Sequence, residues 1–373
     1  MPDTEKIKAP AQPERVLGWD LLRGMCALAV ASYHLMYWQG IATVHTLGSY
    51  GVYLFFILSG ASLAYSYVDK FEAGQFSFGE FLRTRYLRLA PLYLALMLAV
   101  LPWKLLKGGS LADVIASYFL NATFLFGFFN PATNAVLVGG WSLGIEAIFY
   151  LLFPCLMLTF RRTWLAAGVL VLLLAVQIGW IAMSLGQPAS YAQNSALYFQ
   201  APAFIGYFMG GCVLGVAKRK GLLNLFQLTS RGWATVLAGF ALMILINPLL
   251  AGHEIVGWRG WVLGATCFAM VYAASRSALS ASMNKLASRF GDATYGLYLL
   301  HPVLFFGLVQ IIFPRVGVAN PEQWALPVRL LFGCWVIAAA FWLALLSEKH
   351  FEKPIRQYFK VRIFNAPKKA ARL

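Results

Sequence analysis

Apolar stretches of about 20 residues, the length that carries a helix across the hydrocarbon core of a bilayer, recur from one end of the chain to the other. They predict helical spans over about 17–38, 49–68, 86–103, 140–160, 163–184, 198–217, 232–250, 258–275, 291–313 and 326–347. The interruptions carry the orientation. Lys6, Lys8 and Arg15 precede the first run, and Lys70, Arg83, Arg85 and Arg88 follow the second. Arg161-Arg162, Lys218-Arg219-Lys220 and Arg276 follow the fourth, sixth and eighth, whereas the loop from Gln39 to Leu47 has no Lys or Arg. Basic residues collect in cytoplasmic loops. The alternation therefore predicts about ten crossings with both termini cytoplasmic.

One run does not fit that alternation. Residues 112–130 are apolar enough to cross, but crossing would put Arg161-Arg162 outside. A re-entrant or interfacial helix on the outer side, buried in protein, is expected instead. The fold class is thus all-α, a polytopic integral membrane protein. It divides into a cytoplasmic segment 1–15, a membrane domain 16–348 and a basic cytoplasmic tail 349–373. The polar head before Arg15 has no apolar h-region, so no cleavable signal is expected.

Composition narrows the class further. The chain is 60% hydrophobic and 12% charged, about half the charged fraction of a soluble domain. A net charge of +16 could mean nucleic-acid binding, but its confinement to alternating loops points to lipid headgroups instead. Cys26, Cys155, Cys212, Cys267 and Cys334 all lie in apolar runs without metal-ligand spacing. They read as small packing residues, and no metal centre is expected.

Against this apolar background a few polar residues stand out. Asp20, Arg23 and His34 share the first span, and the eleven residues from Arg23 to His34 return to nearly the same helix face with a rise of roughly 16 Å. Ionisable groups inside a span are costly and mark a pathway or a reaction; the plainer reading is a snorkelling arginine and a packed histidine. By topology Glu146 lies at the depth of His34, where a carboxylate would orient the imidazole and raise its basicity. Arg85 and Arg88, at i and i+3, share a face near the level of Arg23, so three guanidinium groups could grip phosphate. His301, before Pro302 in the ninth span, is as readily structural as catalytic.

Six pieces in fixed order give the chain a resemblance. They are Trp19–Gly24 with the spacing to His34, Phe55-Phe56 with Ser59-Gly60, Arg85 with Arg88, and Trp141-Ser142-Leu143 with Glu146. Tyr295 to Pro302 and Phe351–Pro354 complete the set. Together they resemble the membrane acyltransferase 3 family, across nearly the whole chain. The resemblance implies an enzyme that moves an acyl group, acetyl above all, from cytoplasmic acyl-CoA to a hydroxyl of an extracytoplasmic carbohydrate, in the bacterial cytoplasmic membrane. It implies His34 and Glu146 as catalytic, with His34 a general base or a transiently acylated relay. Arg23, Arg85 and Arg88 would hold the donor, supported by Asp20, Ser59, Trp141, Ser142, Tyr295 and His301. A transporter or flippase using the same buried Arg, His and Glu as a substrate path is the alternative.

Overall fold

The computed structural model describes residues 14–106, 110–185, 191–225, 231–250 and 255–364. Lys6, Lys8 and the end of the expected tail lie outside the described residues. Each expected span is helical over most of its length, that at 198–217 becoming α-helical only from Ile205. The long helices are α1 (Leu17–Trp38), α2 (His45–Glu72), α3 (Phe78–Leu106), and, after a short α4 (Leu111–Ala122), α5 (Trp141–Thr159) and α6 (Thr163–Leu185). Then follow α7 (Ile205–Arg219), α8 (Arg231–Leu250), α9 (Gly257–Arg276), α10 (Ala281–Phe306), α11 (Leu326–Ser347) and α12 (Lys353–Phe364). Seven of the helices are long and apolar enough to cross a bilayer. Helices α1, α7 and α9, at three of the ten expected spans, fall short in length or apolarity.

Helix α2 is the centre of the bundle: 78% of its most apolar window is buried, against 17% for α6 and 22% for α8. The outer helices turn their apolar side chains outward, with Val171 66% and Leu245 74% exposed. In water such surfaces would be costly; in a bilayer they are the solvated face. Close packing at the centre rests on small residues. A Cβ on Gly60 of α2 would lie 2.1 Å from the Phe208 carbonyl oxygen, and one on Gly211 of α7 would lie 2.1 Å from that of Ile57. Only glycine lets the two backbones approach this closely. Cys26, Cys212 and Cys267 pack inside as expected, but Cys155 and Cys334 are exposed; an apolar run places a thiol in the membrane without fixing its face.

The run 112–130 is not one helix. Ser110 caps α4, its Oγ accepting from the Asp113 amide at 3.1 Å, and the helix stops after 12 residues. Left-handed backbone at Phe124 and Asn130 then flanks a 3-10 turn at Leu125–Phe128. Twelve residues rise about 18 Å, short of the roughly 30 Å hydrocarbon core. The opposite happens at the end of the chain. Helix α11 continues through a π-helical turn, Glu348–Glu352, straight into α12. Residue 348 is therefore no structural boundary, and the expected tail starts inside a continuous helix.

Candidate active site

The first turns of α1 are tied down by charge. Asp20 is buried; it accepts from Arg23 Nη1 at 2.9 Å and from Arg15 Nε. Arg15 also reaches Asp292 of α10 at 3.0 Å. Arg23 Nη2 donates to the Leu58 carbonyl at 3.1 Å and to Ser62 Oγ, joining α1 to α2. Trp19 does the same toward α9, its indole N–H donating to the Val271 carbonyl at 3.1 Å. A buried carboxylate is tolerable only when paired and hydrogen-bonded, and Asp20 is both.

This cluster forms one wall of a cavity of about 490 Å³. Arg85 and Arg88 of α3, Ser59 of α2 and Glu146 of α5 also line it. Glu146 accepts from Ser59 Oγ at 2.8 Å and from Tyr150 Oη at 2.5 Å. Tyr295 of α10 lines it too, its hydroxyl donating to the Leu89 carbonyl beside Arg88. From the π turn come Glu352, which accepts from Ser347 Oγ at 2.8 Å, and Glu348, which holds Arg356. Arg85 and Arg88 differ from the other arginines here. Among the described residues neither meets a carboxylate. Arg85 has one bond, to Tyr67 Oη at 3.3 Å, and its buried Nε has no acceptor.

Ser142 and Tyr298, whose hydroxyls are 3.0 Å apart, also line the cavity. The tyrosine also donates to the Gly139 carbonyl at 3.0 Å. One helical turn beyond Tyr298 is His301, buried in α10. Its Nε2 lies 3.0 Å from His34 Nδ1, while its own Nδ1 lies 2.9 Å from the Leu297 carbonyl oxygen. Trp38 stacks on His34 with centroids 4.8 Å apart and planes 4° from parallel. The site thus has a donor-rich ionic end and an imidazole end, with two hydroxyls between them.

Residues 16–346 match the acyltransferase domain family. The chain belongs to that acyltransferase family. It is similar to the peptidoglycan O-acetyltransferase OatA of Listeria monocytogenes, at 25% identity over 382 residues, covering 91% of this chain and 56% of that protein. It is also similar to the O-acetyltransferase OatA of Staphylococcus aureus, at 25% identity over 394 residues, covering 99% of this chain and 62% of that protein. The chain thus spans about three-fifths of the length of these curated relatives. No solved structure matches it.

Within this acyltransferase domain, Asp20, Arg23, Ser59, Arg85, Arg88, Ser142, Glu146 and Tyr295 line one cavity. His34, His301 and Trp141 stand outside it. Trp141 is a packing residue, its ring 4.3 Å from that of Phe199 and 5.7 Å from that of Phe204. Two expectations change. The ring partner of His34 is His301, while Glu146 is held by Ser59 and Tyr150; equal depth did not bring imidazole and carboxylate to one side. Nor are the three arginines equivalent, since Arg23 is engaged by Asp20, Leu58 and Ser62. Sequence reasoning passed over Trp38, Glu348 and Arg356, and took Glu352 only as part of the Phe351–Pro354 piece. Glu348, Glu352 and Arg356 recur every four residues, one face of a helix, a signal split by the boundary expected after residue 348.

Proposed function

We propose that this acyltransferase domain moves an acyl group, acetyl above all, from acyl-CoA to a hydroxyl of a cell-surface carbohydrate, a peptidoglycan-type glycan fitting best. The observation that carries the reading is the cavity itself. It presents two guanidinium groups, at Arg85 and Arg88, that meet no carboxylate among the described residues, and includes hydroxyls one helical turn from the His34–His301 pair. Guanidinium forks suit phosphate. A nucleotide-bearing donor held there from the cytoplasmic side would extend its thioester along the cavity. His34 then takes the proton from the acceptor hydroxyl as that oxygen attacks the thioester carbon. The new C–O bond forms, the C–S bond breaks, and the proton passes to the departing sulfur.

The names of the similar proteins, both O-acetyltransferases and one of peptidoglycan, support the acetyl group and the acceptor class. The test uses membranes carrying the protein, acyl-labelled acetyl-CoA and glycan acceptor. Ester-linked label on the glycan is expected with the wild type and none with His34→Ala. Glycan left unlabelled by the wild type, with the protein present and binding donor, overturns the reading.

A further inference from the structure

The two histidines form a chain whose proton positions follow from what each neighbour can do. The Leu297 carbonyl oxygen only accepts, so His301 Nδ1, 2.9 Å away, carries a hydrogen. In the neutral ring that leaves Nε2 as the acceptor. Nε2 faces His34 Nδ1 at 3.0 Å, so His34 must donate from Nδ1, and its own Nε2 holds a bare lone pair. Among the described residues neither ring lies within ion-pair distance of a carboxylate. Trp38 lies over both rings, 4.8 Å from His34 and 6.0 Å from His301, near parallel to each.

We infer that His301 is a positioning residue for the transfer: it fixes His34 in the tautomer whose Nε2 is the base, and Trp38 shields the cation that results. This rests on the acyl-transfer reading above, and it gives to an imidazole the task a carboxylate performs in most histidine bases. When Nε2 takes the hydroxyl proton, the bond from His34 Nδ1 to His301 becomes charge-assisted. Among the described residues no carboxylate stands within ion-pair distance of that positive charge; the indole face supplies the attraction. The proton on Nε2 then goes to the thiolate sulfur, and both rings return to their starting tautomers.

The tautomer can be read without any turnover. ¹⁵N-histidine spectra of the full chain in lipid nanodiscs, with His34 assigned by its loss in His34→Gln, report which ring nitrogen is protonated. The wild type should show His34 protonated at Nδ1 and bare at Nε2. His301→Gln keeps an amide that can donate to Leu297 and accept from His34. It should retain the tautomer and keep kcat within about tenfold. His301→Phe fills the space without an acceptor. There His34 should revert toward the Nε2-protonated form, and kcat should fall about 10²-fold or more while donor KM stays within about twofold. His34 protonated at Nε2 in the wild type, or an unchanged tautomer in His301→Phe, overturns the inference. If His301→Phe does not fold, the wild-type and His301→Gln spectra decide. A wild type that transfers nothing to glycan counts against the acyl-transfer reading alone, because the spectra are recorded without substrate.

Discussion

The two ends of the site solve the problem of buried charge in opposite ways. At the ionic end Arg15, Asp20, Arg23 and Asp292 form one chain of ion pairs, and Glu348, Glu352 and Arg356 form another. At the imidazole end His34 and His301 hydrogen-bond to each other under Trp38, with the Leu297 carbonyl as the last acceptor. Paired charges are fixed and expensive to disturb. A pair of neutral rings can gain and lose a proton as part of a reaction. The first arrangement suits holding a shape or a phosphate, the second suits turnover. Arg85 and Arg88 line the ionic end but join none of its ion pairs among the described residues, which is why the proposed function gives them the phosphates.

The sharpest way to break this comparison is at His34. His34→Gln keeps hydrogen bonding but removes basicity, so transfer should fall on the order of 10²–10⁴-fold with acyl-CoA binding unchanged. Wild-type turnover by this variant would make the imidazole end structural. Next in size is Asp20→Ala, which strands Arg23 in the protein interior. Loss of one partner from a buried pair costs on the order of 3–5 kcal/mol. Thermal unfolding in detergent should show that loss even without substrate, and an unshifted melting temperature would mean that Arg23 finds another partner at no cost.

Arg85→Ala and Arg88→Ala should weaken acyl-CoA binding about tenfold each, the equivalent of 1–3 kcal/mol for a charge-assisted contact, with little change in melting temperature. Binding by isothermal titration separates them from Asp20→Ala; unchanged affinity would assign both side chains to lipid headgroups. The smallest effect belongs to Glu146→Gln. The amide oxygen can still accept from Ser59 and Tyr150, so transfer should fall only a few-fold, about 1 kcal/mol. A loss as deep as that of His34→Gln would place the carboxylate in the chemical step.

How much of this was legible in the sequence depends on the kind of information each feature needs. The span expected at about 17–38 coincides with helix α1, because a long apolar run between polar flanks is a local signal. The meeting of Arg85 and Arg88 was also local, a matter of i and i+3 spacing on α3. The partner of His34 was not. Charge alternation gives the depth of a residue in the bilayer, whereas contact requires the rotation of each helix about its axis, and that is set by packing such as Gly60 against Phe208. Depth alone therefore coupled His34 to Glu146, and rotation couples it to His301. The break of 112–130 at Phe124 was missed for a related reason: a phenylalanine in left-handed backbone, φ 58°, leaves no mark in the composition.

The π turn at Glu348–Glu352 has a practical consequence for anyone dividing this chain. The family match ends at residue 346, and a cut there would spare the apolar stretch of α11. It would also remove Glu348, Glu352 and Arg356 from the cavity lining and leave Arg88 beside an opening instead of a wall. The helix that lines the cavity thus runs past the stretch that the family match covers. A shortened protein could insert into membranes and pass every topology assay, yet admit water to the cavity in which the proposed function keeps a thioester dry.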